Sequence, residues 1–141
     1  MTGTWKGYYK FDNEKLQTSS GFEKTGFTLD ITFFDGKKFK GTVLDDINSG
    51  GMQGEGQISG EIKNGQVSFQ KQMPLYTIIF KNGTKQTLDR KHPIIYYFGK
   101  FSQDKNHIKG KWKFKWKIFL LFGIIPIPFK PSSGTWEMNL Q

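Results

Sequence analysis

From Ile108 to Lys117 the chain alternates in strict period two. Ile108, Gly110, Trp112, Phe114 and Trp116 take one parity; Lys109, Lys111, Lys113, Lys115 and Lys117 take the other. Side chains of a strand point to two faces in turn, whereas those of a helix recur every 3.6 residues. A strand therefore separates all the rings from all the ammonium groups, and no helix does. The same period runs through most of the sequence. It places Trp5, Gly7, Tyr9 and Phe11 on one face of a strand over 4–11, and Phe27, Leu29, Ile31 and Phe33 on one face of 26–34. Phe39, Gly41 and Val43 follow, then Ile58, Gly60 and Ile62, then Val67 and Phe69 against Ser68 and Gln70. Asp35-Gly36, Asn64-Gly65 and Asn82-Gly83 are hairpin signals, because these turns need positive φ. Further strands are expected over 75–81, 84–89 and 94–101, and after Ser132-Ser133-Gly134, where Trp136, Met138 and Leu140 alternate with polar residues. The glycine-rich stretch 45–56 reads as a loop, and 11–16 as one short helical turn.

Nine or ten short strands joined by tight turns, without helical crossovers, form a sequential meander with two exposed edges. Closing the sheet removes those edges. Both end strands carry Gly-Thr-Trp (Gly3-Thr4-Trp5 and Gly134-Thr135-Trp136), which suits their pairing with each other. The expected fold is all-β, a single antiparallel up-and-down meander β-barrel of about 8–10 strands, with residues 1–141 as one domain. Only 35% of the residues are apolar, but 16% are aromatic, and large rings fill an interior economically.

Gly3-x-Trp5 on the first strand resembles the opening of lipocalins and avidins, and Gly3-Thr4-Trp5-Lys6-Gly7 resembles that of nitrobindin-like proteins. With the meander, the chain resembles the calycin group, which also contains the fatty-acid-binding proteins. The resemblance implies a calycin-like barrel around an apolar cavity. Some features of those families are missing. No arginine follows Trp136, since Arg90 is the sole arginine, and His92 and His107 are the only histidines, neither in the late position of a nitrobindin-like ligand. There is also no room for the helical lid of the fatty-acid-binding proteins. The ligand is left unnamed.

The formal net charge is +9, supplied almost entirely by lysine. Lysine is a mobile point charge, and the bidentate base and phosphate contacts made by arginine are missing. Sequence-specific nucleic-acid recognition is therefore not expected, and diffuse attraction to an anionic surface is. With no cysteine there is no disulfide, thiolate nucleophile or cysteine metal site. The chain opens on Thr2-Gly3-Thr4-Trp5 without a charged and apolar leader, so a cytoplasmic location is expected.

Two functional readings follow. In the first, the barrel is a non-catalytic binder of a small hydrophobic molecule or fatty acid, held between the inward rings Trp5, Phe27, Phe39, Phe69, Trp112 and Trp136. The same rings, packed solid, would make the barrel a scaffold. In the second, Lys109, Lys111, Lys113, Lys115 and Lys117 form a positive stripe roughly 27 Å long. It stands beside Ile118–Phe129, the most apolar stretch, which includes Phe119, Leu120, Leu121 and Phe122. That stretch is shorter than the ~20 residues of a membrane-crossing helix. Pro126 and Pro128 exclude a long helix or a central strand there. The expected form is a long final hairpin whose loop folds over the barrel mouth, or an apolar loop that lands on an anionic membrane beside the lysines or meets a protein partner. The outward lysines are equally a solvated face that protects the sheet.

Asp46-x-Asn48-x-Gly50 opens like a calcium loop, but its twelfth position is Gln57, so no calcium site is expected. Two histidines specify no metal centre. Asp45, Asp46, Glu55 and Glu61 are candidate paired carboxylates, without the dry, raised-pKa setting that acid–base catalysis needs. No enzyme activity, cofactor or metal is expected, and the oligomeric state is open.

Overall fold

The computed structural model describes residues 1–19, 21–79, 85–88, 94–114, 117–121, 125–129 and 133–141. Its strands are β1 (Gly3–Phe11), β2 (Thr25–Phe34), β3 (Lys38–Asp45), β4 (Glu55–Lys63), β5 (Gln66–Gln72), β6 (Tyr76–Ile79), β7 (Lys85–Leu88), β8 (Ile95–Phe101), β9 (His107–Phe114), β10 (Lys117–Leu121), β11 (Ile125–Phe129) and β12 (Ser133–Leu140). A short helix, α1 (Glu14–Ser19), lies between β1 and β2. Among the described residues no helix is long and apolar enough to cross a membrane.

Eight of the strands close an antiparallel barrel in the order β1-β12-β9-β8-β5-β4-β3-β2. The end strands do meet, with Tyr9 opposite Trp136 and Phe11 opposite Gly134. The other four form two separate ribbons, β6 with β7 and β10 with β11. The expected strands over 75–81 and 84–89 are thus a side hairpin rather than barrel staves. Period two reports a strand without reporting which sheet it joins. The tip of that hairpin, with Asn82-Gly83, lies outside the described residues.

The alternation holds inside the barrel strands. Trp5, Tyr9, Phe27, Leu29, Ile31, Phe39, Val43, Ile58, Val67, Phe69, Tyr97, Trp112, Trp136 and Met138 are all buried. Two expected inward residues are corrected: Leu140, at the end of β12, is 38% exposed, and Phe33 is turned outward by a change of register. The β2–β3 register shifts between Ile31 and Phe33, a β-bulge. Phe33 turns outward at 49% exposure, while Phe34 packs against the core. An extra residue in one strand reverses the parity beyond it. The limits of the 45–56 loop are also corrected: Asp45 closes β3 and Glu55 opens β4.

The lysine strand is described over β9, which ends at Phe114, and again from Lys117, the first residue of β10. Lys109, Lys111 and Lys113 are exposed on β9; Lys115 and Trp116 lie outside the described residues.

The two barrel ends differ in kind. One is closed by short connections, with Asn64 at φ 53 and Gly65 at φ 74 in the β4–β5 turn. The other receives all the long excursions: α1, the 46–54 loop with its 3₁₀ turn Ile47–Ser49, the β6–β7 ribbon and the β10–β11 ribbon.

Candidate functional site

Beneath those long connections the barrel interior contains a buried ion pair. Lys71 Nζ lies 2.6 Å from Asp45 Oδ1, with the two side chains 2% and 0% exposed. Alternation explains how both reach the interior. Lys71 continues the inward row Val67, Phe69 of β5, and Asp45 continues the row Phe39, Gly41, Val43 of β3. The second carboxylate oxygen, Oδ2, accepts from the Tyr9 hydroxyl at 3.0 Å and from the Met52 amide at 3.3 Å. The ammonium also lies 5.0 Å from the Tyr9 ring centre and 5.9 Å from that of Phe27. Aromatic faces so placed attract a cation electrostatically.

The 46–54 loop is fastened over this group. Asp46 N donates to Gly26 O at 2.8 Å, Thr25 Oγ1 to Ser49 O at 2.9 Å, and Gly26 N to Ser49 Oγ at 2.9 Å. Asp46 itself caps the 3₁₀ turn, accepting from Asn48 N at 3.0 Å, which is the structural task of its short motif. Gly51 is required here, because a Cβ would stand 2.5 Å from that of Asp45.

Burial, and after it the charge of Asp45, hold the hydroxyls of Tyr9 and Tyr97 well above the ordinary tyrosine value of 10.0. Both phenols therefore stay protonated where an unfolded chain would ionise them, and Tyr9 remains a donor to Asp45. Above about pH 10 the folded chain binds more protons than the unfolded one. Stability present below that pH is lost as pH rises, by about 1.4 kcal/mol per pH unit for each tyrosine. Urea denaturation across this range is expected to show a shallower decline for Tyr97→Phe than for the natural chain. Identical slopes would contradict the assignment.

The rings expected to line an interior site fall into groups. Tyr9 joins Phe27 (6.2 Å between centres) to Trp112 (6.1 Å), and Trp112 also meets Phe11 and Phe114. Within this group Tyr9 and Phe27 stand against the ion pair. Phe39, Phe69, Tyr97 and Trp136 form a second group, with Phe69 stacked on Tyr97 at 4.6 Å and edge-on to Trp136 at 5.4 Å. Trp5 packs separately, edge-on to Phe101 at 6.3 Å. Of the six rings, then, Phe27 stands beside the polar group and Trp112 packs on Tyr9, while Phe39, Phe69, Trp136 and Trp5 are engaged with other rings.

The sequence reading missed Lys71 and took Asp45 for a loop carboxylate. The missed signal was parity: Val67-x-Phe69-x-Lys71-x-Met73 places a lysine in a row of buried residues. Of the other candidate carboxylates, Asp46 and Glu55 are exposed and Glu61 is half-buried. His107 sits near the barrel surface, with Nδ1 2.7 Å from Asn139 Oδ1 and Nε2 3.2 Å from Glu137 Oε2; His92 lies outside the described residues. In the surface set, Phe119, Leu120 and Leu121 fall on β10, which pairs with β11 as a long final hairpin does, and Phe122 lies outside the described residues. β11 contains Pro126 and Pro128 and pairs with β10, which satisfies the exclusion of a central strand.

No family model, curated protein or solved structure gives a significant match to this chain.

Proposed function

We propose that the protein is a non-catalytic, calycin-like ligand-binding barrel. It takes a small, largely apolar molecule at the loop-covered end and anchors it by a polar group at Lys71. The observation that carries this reading is the buried Lys71–Asp45 pair under the long connections. A buried ion pair is a poor source of stability, because desolvating two charges offsets most of their attraction. An apolar pair of similar volume would hold the barrel at least as well, so a role beyond stability accounts better for the pair. An ammonium has three N–H donors, and among the described residues Asp45 is its one hydrogen-bond partner. In this reading the other N–H groups of Lys71 serve a ligand, next to the Phe27 ring and to Ile95, which lies opposite Lys71 on β8.

The same pair bears on the ligand's charge. Asp45 already neutralises Lys71, and a second carboxylate would leave excess negative charge in a dry interior. An uncharged acceptor such as an ester, ketone or alcohol fits better than the fatty-acid carboxylate expected from the sequence.

The test uses a fluorescent long-chain fatty acid and its methyl ester, titrated into the natural protein near pH 7. The ester is expected to bind about tenfold or more tightly than the acid, a difference of about 1.4 kcal/mol or more. In Lys71→Met, checked for folding by circular dichroism, ester affinity is expected to fall. Absence of binding by both probes, or tighter binding of the acid, would refute the proposal.

A further inference from the structure

We propose that the outer face of β1, β12, β9 and β8, together with the β10–β11 hairpin, docks the barrel on an anionic lipid bilayer. This goes beyond the binding of a ligand inside the barrel and does not depend on it.

Cross-strand register collects the positive charge on this face. Lys100 lies opposite Lys109, Phe98 opposite Lys111, Tyr96 opposite Lys113, and Lys10 opposite Thr135, which in turn faces Lys111. Lys24 sits 3.7 Å above the Tyr8 ring on the neighbouring edge. Lys10, Lys24, Lys100, Lys109 and Lys111 line one open groove. The acids here are largely engaged. Glu137 accepts from the Tyr8 hydroxyl and pairs with His107, and Asp12 accepts from Ser133 Oγ at 2.9 Å; Glu14 and Glu23 are exposed. An exposed aromatic ring completes the face: Phe98 is 47% exposed, with Lys113 Nζ 5.5 Å from its centre. Lysine stems around an exposed ring suit a headgroup layer, where ammonium groups meet phosphates and rings rest among the acyl ends.

The second observation is continuity. β9 and β12 are neighbours in the barrel, and the chain between them forms the β10–β11 hairpin. Its pairs are Lys117 with Phe129, Ile118 with Pro128, Phe119 with Ile127, Leu120 with Pro126, and Leu121 with Ile125. Beyond Lys117 at its base, both alternating sets of positions are apolar. A two-stranded ribbon has two faces and cannot bury both against itself. Lys10, Lys111 and Lys113 lie within about 10 Å, measured along the strands, of the ends that feed the hairpin. Basic side chains at that distance from an apolar element match the spacing of phosphates above acyl chains. The hairpin, about 17 Å long, is too short to cross a bilayer core of about 30 Å. Its open edges also require water, so it enters only the boundary between headgroups and acyl chains. Pro126 and Pro128 help by removing two edge N–H groups. Recognition is by charge and apolar burial, without a specific lipid.

The test is co-sedimentation with phosphatidylcholine vesicles and with vesicles containing one third phosphatidylserine. Because the chain has no cysteine, Leu121→Cys labelled with a polarity-sensitive dye reports hairpin burial directly. Binding is expected only to the anionic vesicles and to be lost in molar salt. It should weaken about tenfold or more in the exposed double variant Lys111→Glu/Lys113→Glu, and the dye should shift to the blue on binding. No binding at low salt, binding unchanged by the charge reversal, or a dye that stays in water while the protein binds would each overturn the proposal. So would retention on nucleic acid without vesicle binding. Ester binding by the natural protein is scored separately, so loss of either reading leaves the other standing.

Discussion

Asp45→Ala is expected to lower the unfolding free energy by about 3–5 kcal/mol, the cost of leaving a buried charge without its partner. The carboxylate receives Lys71 Nζ, the Tyr9 hydroxyl and the Met52 amide. Its removal strands an ammonium that is 2% exposed and leaves two further donors without an acceptor. Lys71→Met is expected to cost a similar amount for the mirror reason. The double variant Asp45→Leu/Lys71→Met should recover most of the loss, since it removes both charges and restores apolar volume; adding Tyr9→Phe removes one of the orphaned donors. Urea or thermal unfolding of the set checks this. A single-variant loss below about 1 kcal/mol would show that the pair is as weakly coupled as a surface one. A double variant no better than the singles would show that shape rather than charge is at stake.

Gly110→Ala is expected to cost about 4 kcal/mol or more, or to prevent the barrel from closing. A Cβ at Gly110 would overlap the Phe98 carbonyl oxygen and lie 2.5 Å from Gly99 Cα. These are backbone atoms of β8, so no rotamer change can relieve the clash. Gly99 cannot move aside, because its inner surface is covered by Trp136, whose Cζ2 would be 2.7 Å from a Cβ there. Trp136 is itself held by Nε1 bonds to Phe98 O at 3.2 Å and Lys111 O at 3.1 Å. The β8–β9 ladder would have to part where Gly99 faces Gly110. Lys109→Ala, one position away and exposed, is the control and should be near neutral. A Gly110→Ala barrel within about 1 kcal/mol of the natural chain would mean that the two strands can separate cheaply.

Much of the barrel was legible in advance for one reason. Strand side chains alternate between two environments, so a residue's parity reports its side. Trp5, Phe27, Phe69, Trp112 and Trp136 were placed inward by that rule and are buried. It fails at Phe33, where a bulge adds a residue to one strand without leaving a mark in composition. It also fails to distinguish a barrel stave from a ribbon, as β6 and β7 show, because hydrogen bonding to a third strand has no local signature. Lys71 was legible in principle. Its parity is inward, but a lone lysine reads as solvent-facing unless a carboxylate is known to stand opposite. That knowledge requires β3 and β5, separated by β4, to be brought around a curved sheet.

The amino-acid sequence alone determined the strand period, the hairpin turns at Asp35-Gly36 and Asn64-Gly65, the inward rings and the sign of the outer charge, because each depends on neighbours in the chain. Only the tertiary structure decided which strands close the barrel, that Asp45 meets Lys71 in its interior, and that the lysines of β1, β8 and β9 share one face. Those facts depend on distances between residues far apart in sequence, which curvature and register set and local pattern does not.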